Sequence, residues 1–396
     1  MILKSSKFWE NTLDKALQSL LIGELEVTYP SGETKIYLGK NPGPKTDVKF
    51  HTKKSLKDSL LGGSLGFCES VISGEITSSK MDKVIELGAS YDSGINTYGT
   101  GYKFLKLINK INFYFKKNTL QGARKNISLH YDLGNEFYSL WLDESMTYSS
   151  AIFDNKNIEL KSAQLNKYKT LARTANIKNG DSILEIGCGW GGFAEFAVKK
   201  YSASITPITI SEKQYHYTIS RLKKVGFNEN INVKLEDYRT LKGKYDKIIS
   251  IEMFEAVGEE YWPLFFNQIK SLMKPKGTAA IQVITIKDEY FNDYRKYPDF
   301  IQKYIFPGGM LPSLASLNKP ITNAGLKLTS VKGFGQDYAK TLSSWRKKFN
   351  EKWPEISQLG FDTQFKRMWN LYFSYCEGGF RAGSIDVKQL QIVSND

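Results

Sequence analysis

The stretch "SILEIGCGWGGFAEF" runs from Ser182 to Phe196. A short apolar run meets a cluster of glycines, and small and aromatic residues follow at helical spacing. That order reads as a strand, a tight turn and the start of a helix. The glycines satisfy two patterns at once. Gly187, Gly189 and Gly192 give G-x-G-x-x-G, the spacing with which a turn cradles a dinucleotide pyrophosphate. Gly187, Gly189 and Gly191 give the tighter G-x-G-x-G, which suits the methionine half of S-adenosylmethionine.

Outward from this turn the alternation continues. "GFAEFAVKKY" is a helix, "ASITPITIS" a second strand, and "EKQYHYTISRLKKVG" a helix closed by Gly226. "INVKLED" and "YDKIISIEMF" are the third and fourth strands. "YWPLFFNQIKSLMKPKG" is a helix ending at a Pro-x-Gly stop, and "TAAIQVITI" is an apolar strand. Strands alternating with helices make a mostly parallel α/β sheet covered on both faces. The ligand of such a sheet sits outside the carboxyl ends of its strands.

The charges at those ends choose between the two glycine patterns. Glu185 stands two residues before Gly187. A carboxylate there repels a pyrophosphate and suits a ligand ammonium. A dinucleotide site also wants an acid ending the second strand, where this chain has Thr209 and Ser211. Asp237 closes the third strand, where its carboxylate can accept adenine amino hydrogens. Both features favour S-adenosylmethionine.

The chain has 396 residues, enough for two domains with cores of their own. Residues 1–90 read as an N-terminal accessory, lipid-binding domain of α+β type. In it, Phe8, Trp9, Leu13 and Leu17 recur at helical spacing, "GELEVTYPSGETKIYL" is a hairpin, and "KSLKDSLLGGSLGFCESVISGEI" is a helix, a glycine break and a second helix. Residues 91–125 form a linker and a basic amphipathic segment, and 126–396 the catalytic domain. Lysines and arginines number 55 against 41 acids, a net charge of +14. From Gly101 to Lys125 there is no acidic residue, and lysines interleave with phenylalanines, leucines and isoleucines. Long basic arms on an apolar body suit an anionic lipid surface. RNA is the other polyanion, but no zinc-finger, KH or RRM signature is present. Three scattered cysteines and three scattered histidines argue against a disulfide framework and against a metal site. The expected location is the cytoplasm, with peripheral attachment to the inner membrane face.

At this point the chain resembles the cyclopropane-fatty-acyl-phospholipid synthases and their kin, the mycolic acid cyclopropane synthases and lipid C-methyltransferases. The motifs that carry the resemblance are "ISLHYDLGNEFYSLWLDESMTYSSAIF", "LEIGCGWGGFAEFA", "ITISEKQ", "SIEMFEAVGEEYW", "FIQKYIFPGGMLPS", "DYAKTLSSWRKKF" and "FKRMWNLYFSYCEGGFR", in the family's order. The implied fold is a Rossmann-like class I methyltransferase with a smaller N-terminal α+β domain. "LLGGSLGFCESVISGE" resembles the extra domain of the bacterial synthases.

The resemblance also implies residue roles. Tyr148 and Ser149 would line the methionine portion of S-adenosylmethionine. Gly187, Gly189 and Gly191 would bring backbone against it. Thr209 and Gln214 would hold the ribose region, and Asp237 would lie by the adenine with Tyr238 flanking it. Ser150, Glu255, Gln282, Ile284 and Tyr338 would bind bicarbonate, Ile284 through its backbone. Two of these five depart from the family pattern, which has Cys at position 150 and His at 282. Gln donates a hydrogen bond but does not change charge near neutral pH as His does.

The implied substrate is a cis alkene in the acyl chain of a membrane phospholipid. Methyl attack on it leaves a carbocation. Proton loss from the new methyl closes a cyclopropane, the expected product. Proton loss from a neighbouring carbon gives a methylene or shifted alkene, and hydride addition gives a methyl branch. Glu255 with bicarbonate would supply the base. Tyr338, Trp369, Tyr372 and Tyr375 are candidates to face the cation, and His130, Tyr131 and Asp132 to cover the cofactor. The expected partners are unsaturated phospholipid at an anionic membrane surface and, for oligomer state, a homodimer, with no nucleic acid. Other readings are an amine N-methyltransferase, a non-catalytic lipid-binding protein and an RNA methyltransferase.

Overall fold

The computed structural model of the chain describes residues 6–90, 133–154, 159–226 and 231–395. It divides into two compact units. The first comprises residues 1–115, 293–305 and 342–384, and the second residues 116–292, 306–341 and 385–396. The basic segment 101–125 and the His130–Asp132 motif lie outside the described residues.

In the first unit, α1 (Ser6–Leu17) precedes the hairpin of β1 (Ile22–Thr28) and β2 (Thr34–Leu38). β3 (Asn41–Phe50) runs parallel to β1 and pairs with the short β4 (Ile76–Thr77), giving the order β2-β1-β3-β4. Two prolines and a glycine in "NPGPKTDVKF" hide β3 from its sequence, since proline is a poor strand former. α2 (Lys53–Ser73) is two helical stretches joined across Gly63, whose φ of 60° and ψ of −145° are not helical, the helix, glycine break and second helix that the sequence predicts.

α3 (Met81–Ser90) and the long α13 (Thr363–Ala382) complete this unit. α13 packs on α2 and α3. It therefore belongs to the first unit, although its place in the chain lies inside the 126–396 region read as one catalytic domain. The reason is a buried helix face: Trp369, Tyr372, Phe373 and Phe380 leave almost no surface to solvent. α11 (Gly335–Glu351) starts in the second unit and passes into the first at residue 342, and α12 (Trp353–Gln358) follows in the first.

The second unit holds the seven-stranded sheet, ordered β10-β11-β9-β8-β5-β6-β7. β5 (Ser182–Ile186), β6 (Ser204–Thr209), β7 (Lys234–Leu235), β8 (Tyr245–Ile251) and β9 (Met273–Ile286) pair in parallel. β11 (Ile385–Ser394) runs antiparallel to β9 and to β10 (Leu326–Gly333). The crossover helices are α6 (Gly192–Tyr201), α7 (Glu212–Val225) and α8 (Trp262–Leu272), and α9 (Asp288–Tyr294) and α10 (Leu314–Asn323) follow β9 in the chain. Gly226 closes α7 in the left-handed conformation, φ 82°.

The third strand is shorter than "INVKLED" suggested, and β9 already starts at Met273, ahead of the Pro-x-Gly stop. Before the sheet come α4 (Asn135–Trp141) and α5 (Leu160–Thr174). One core packs α5, α6 and the sheet around Leu171, Phe193, Ala197 and Ile249.

Candidate active site

The turn after β5 has the backbone its glycines demand. Gly187, Gly189 and Gly191 have φ of 80°, 53° and 79°, a region that costs L side chains energy. Their surroundings differ. A Cβ on Gly187 would stand 2.6 Å from Met253 Cγ, and one on Gly191 2.8 Å from Thr218 Cγ2. Those two glycines let the protein pack on itself. Apart from its chain neighbours, no atom of the described residues lies within 4 Å of such a Cβ on Gly189, so here the backbone faces open space.

Glu185, near the end of β5, is buried, and its Oε2 has no hydrogen-bond partner among the described residues. Burial pushes its carboxyl up to about 8, against the pull of Lys167 and Arg221. Lys167 on α5 is fully buried too, and desolvation lowers its ammonium to about 7. Lys167 Nζ donates to Ser149 Oγ at 2.7 Å, and the Ser149 carbonyl accepts from Gln164 Nε2 at 2.9 Å. Tyr148 packs its ring on Tyr138 and Trp141, with centroids 5.4 and 5.5 Å away. An orphaned carboxylate oxygen beside an open glycine backbone fits the ammonium end of S-adenosylmethionine.

Farther along the strand ends, Thr209 Oγ1 donates to Gln214 Oε1 at 3.0 Å, and Ser211 caps α7 by accepting from Gln214 N. Asp237 is buried in a fork with Arg239. Its Oδ1 accepts from Arg239 N at 3.0 Å and Nε at 2.9 Å, and its Oδ2 from the second guanidinium nitrogen at 2.7 Å. A carboxylate has about four acceptor positions, so one is left for a ligand donor. Tyr238 stands edge-on to Phe265.

The five residues expected to bind bicarbonate all lie in the second unit, and register explains how they meet. Ile251 at the end of β8 pairs with Gln282 on β9, and Gln282 pairs with Gln389 on β11. Glu252, the next residue after β8, turns out of the sheet with φ 49° and donates its backbone N–H to the Gln282 carbonyl at 2.8 Å. Its carboxylate becomes the hub. Oε1 accepts from Ser150 N at 2.9 Å and Gln282 Nε2 at 2.7 Å, and Oε2 accepts from Tyr338 Oη at 2.6 Å.

The amide orientations follow from the chain of bonds. Gln389 Nε2 donates to the Lys167 carbonyl at 3.4 Å and to Gln282 Oε1 at 3.0 Å, which leaves Gln282 Nε2 facing Glu252. Glu255, on a 3-10 turn (Phe254–Ala256), accepts from Ile284 N at 2.6 Å through Oε1, while its Oε2 is buried without a hydrogen-bond partner among the described residues. Burial and the neighbouring Glu252 push its carboxyl up to about 8. The "FPGGMLPS" loop leans on this residue, with Met310 N donating to the Glu255 carbonyl at 2.7 Å.

Sequence reading missed Glu252 and Lys167. "SIEMFEAVG" carries two glutamates three apart, and only the second was singled out. The first was legible as the residue that ends β8, on the side where ligands bind. Lys167 gave no local signal, being one lysine among many on an amphipathic helix. The aromatics Trp369, Tyr372 and Tyr375 belong to the first unit, whereas Tyr338 belongs to the second. Trp369 packs there on Phe349, Phe365 and Phe373.

Residues 118–390 match the family model described as mycolic acid cyclopropane synthetase. The tuberculostearic acid methyltransferase UfaA1 of Mycobacterium tuberculosis is 36% identical over 344 residues, 84% of this chain and 79% of that protein. The cyclopropane-fatty-acyl-phospholipid synthase of Escherichia coli is 31% identical over 358 residues, 88% of each chain. Among solved structures, the mycolic acid cyclopropane synthase CmaA1 complexed with SAH and CTAB superposes with a TM-score of 0.64 at 28% identity, covering 68% of this chain and 97% of that one. The chain belongs to the mycolic acid cyclopropane synthetase family of S-adenosylmethionine-dependent methyltransferases.

Proposed function

We propose that this enzyme transfers the methyl group of S-adenosylmethionine to the cis double bond of an unsaturated acyl chain in a membrane phospholipid. The observation that carries the reading is the buried carboxylate pair Glu252 and Glu255 at the end of β8. An alkene is a weak nucleophile with no proton to lose on attack. Its methylation creates a cation, which negative charge in a dry site stabilises and which must then give up a proton to a base. An amine also gives up a proton on methylation, so the choice of an acyl chain over an amine is supported by the relatives, which are named for fatty-acid and mycolic-acid chemistry.

Ring closure is the ending that the family resemblance implies. A second ending, proton loss from a neighbouring carbon to give a methylene or shifted alkene, is favoured by Ser150 and Gln282, which replace the family's Cys and His. The basic segment 101–125 is the proposed membrane contact. No helix among the described residues is long and apolar enough to cross a bilayer.

The test is mass spectrometry of acyl chains after incubation of the protein with S-adenosylmethionine and vesicles of an unsaturated phospholipid. The expected product is heavier by one CH2, and catalytic hydrogenation separates ring from alkene. Unchanged lipid together with methylation of an added secondary amine would replace this reading with N-methylation.

A further inference from the structure

The implied bicarbonate does not fit this site. Ser150 N spends its hydrogen on Glu252, and Ser150 Oγ donates to the Ala151 carbonyl at 3.0 Å. Gln282 Nε2 has two hydrogens, one on Glu252 and one on the Ser150 carbonyl at 3.4 Å. Tyr338 gives its single hydrogen to Glu252, and Ile284 N gives its own to Glu255. Every donor of the five residues is thus committed to a protein acceptor. A bicarbonate would also add a negative charge against the Glu252 carboxylate, at a cost that low dielectric enlarges.

We propose that the Glu252 carboxylate is the resident anion of this site, so that the enzyme works without bicarbonate. The proposal rests on the function proposed above and deepens it. Three donors converge on Glu252 and none of its partners accepts from it, the pattern of an ionised carboxylate. Burial raises Glu252 as well, opposed by its three donors and by Lys167. Glu255, pushed up to about 8, keeps its proton at neutral pH, and the three converging donors assign the charge to Glu252.

Glu252 acts through Tyr338. The breaking C–H bond of the cation leaves its electron pair in the new carbon–carbon bond. Its proton goes to the Tyr338 oxygen as the phenol proton passes to Glu252 Oε2. Water then takes the proton from Glu252 and restores the site. The strained φ of Glu252 is consistent with a residue placed for function.

The closing experiment uses the full chain and the variants Glu252→Gly and Glu252→Gln. Glycine is the residue that φ 49° favours, which offsets part of the cost of leaving three donors unpaired, and the first variant opens the anion position; its melting curve checks that it folds. Carbon-13 NMR of labelled bicarbonate should show no binding to the wild type and binding to Glu252→Gly. Wild-type turnover should be the same in carbon-dioxide-free buffer. Both variants should lose ~100-fold in kcat with KM little changed, and added bicarbonate should restore about tenfold to Glu252→Gly but nothing to Glu252→Gln.

Bicarbonate binding to the wild type, or a drop in its rate on depletion, overturns the proposal. So does a Glu252→Gly variant that neither binds bicarbonate nor is rescued by it. The NMR measurement needs no lipid. A failure of acyl methylation is therefore distinguishable from a failure of the assignment to Glu252.

Discussion

Each unit buries a cluster of charges, and the two are built on opposite plans. In the first unit Arg346 pairs with Asp82 at 3.0 Å and with Glu377 at 3.1 Å, and Arg381 closes on Glu377 at 2.7 Å. Two acids meet two arginines there, and these contacts join α3, α11 and α13. In the second unit Glu252 and Glu255 lie near each other and find hydrogen-bond donors instead of arginines. Lys167, the cation that acts on Glu252, is itself desolvated toward neutrality, at about 7. The first plan spends charge on holding helices together. The second stores charge and an unpaired oxygen for something that arrives. Burial alone does not tell the two apart, since Glu377 and Glu185 are equally hidden. The difference lies in whether opposite charge is already present.

The largest expected effect breaks the first plan. Arg346→Met leaves Glu377 buried with one arginine instead of two. Removing one partner of a buried pair costs several kcal/mol. With Arg381 still in place and Arg346 partly exposed, we expect about 2 kcal/mol. Urea unfolding followed by fluorescence measures it, while calorimetric binding of S-adenosylmethionine should be unchanged. A stable variant with weakened binding would show that this cluster is not purely structural.

A pH titration sharpens the second plan. Glu255 is raised to about 8 from an ordinary value of 4.5, so the folded state binds this proton more tightly than the unfolded chain. Its contribution to stability is complete below about pH 4.5 and is lost as pH climbs through about 8. Other groups titrate in the same window, notably Glu185 in the same direction and Lys167 in the opposite one. The quantity to read is therefore the wild type minus Glu255→Gln. The variant should gain on the wild type by about 1 kcal/mol or more between pH 6 and pH 9. Parallel melting curves across that range would mean that Glu255 is not held protonated.

Much of this was legible in the chain. The strand–turn–helix of residues 182–196 fixed the sheet's type because alternating β and α runs admit few topologies. Acids and hydroxyls at strand ends located the cofactor side, since Glu185, Thr209 and Asp237 each end or closely follow a strand. The path of the chain between units was not legible. α13 reads as an apolar helix wherever it packs, and nothing in "MWNLYFSY" says which unit receives it. The hub role of Glu252 was equally hidden. It depends on the β8–β9–β11 register, which sets Gln282 against the carboxylate with Gln389 behind it, and on Ser150 and Tyr338, far away in sequence; β11 itself had not been identified.

The smallest expected effect concerns a contact that carries no charge at all. Thr209 Oγ1 donates to Gln214 Oε1 at 3.0 Å and accepts from Ser211 N at 3.1 Å. It therefore fixes the start of α7 and the direction of the Gln214 amide together. Thr209→Val keeps the branched shape and removes both bonds. Loss of one neutral hydrogen bond that orients a ligand-binding group is worth about 1 kcal/mol, or about fivefold in Kd for S-adenosylmethionine. Calorimetry on Thr209→Val and Thr209→Ser decides it, because serine keeps the hydroxyl and should bind like the wild type. An unchanged Kd in Thr209→Val would make the pair merely the cap of α7. The ribose side of the ligand would then have to be held from Asp237 and its neighbours, where a carboxylate and an arginine already stand together.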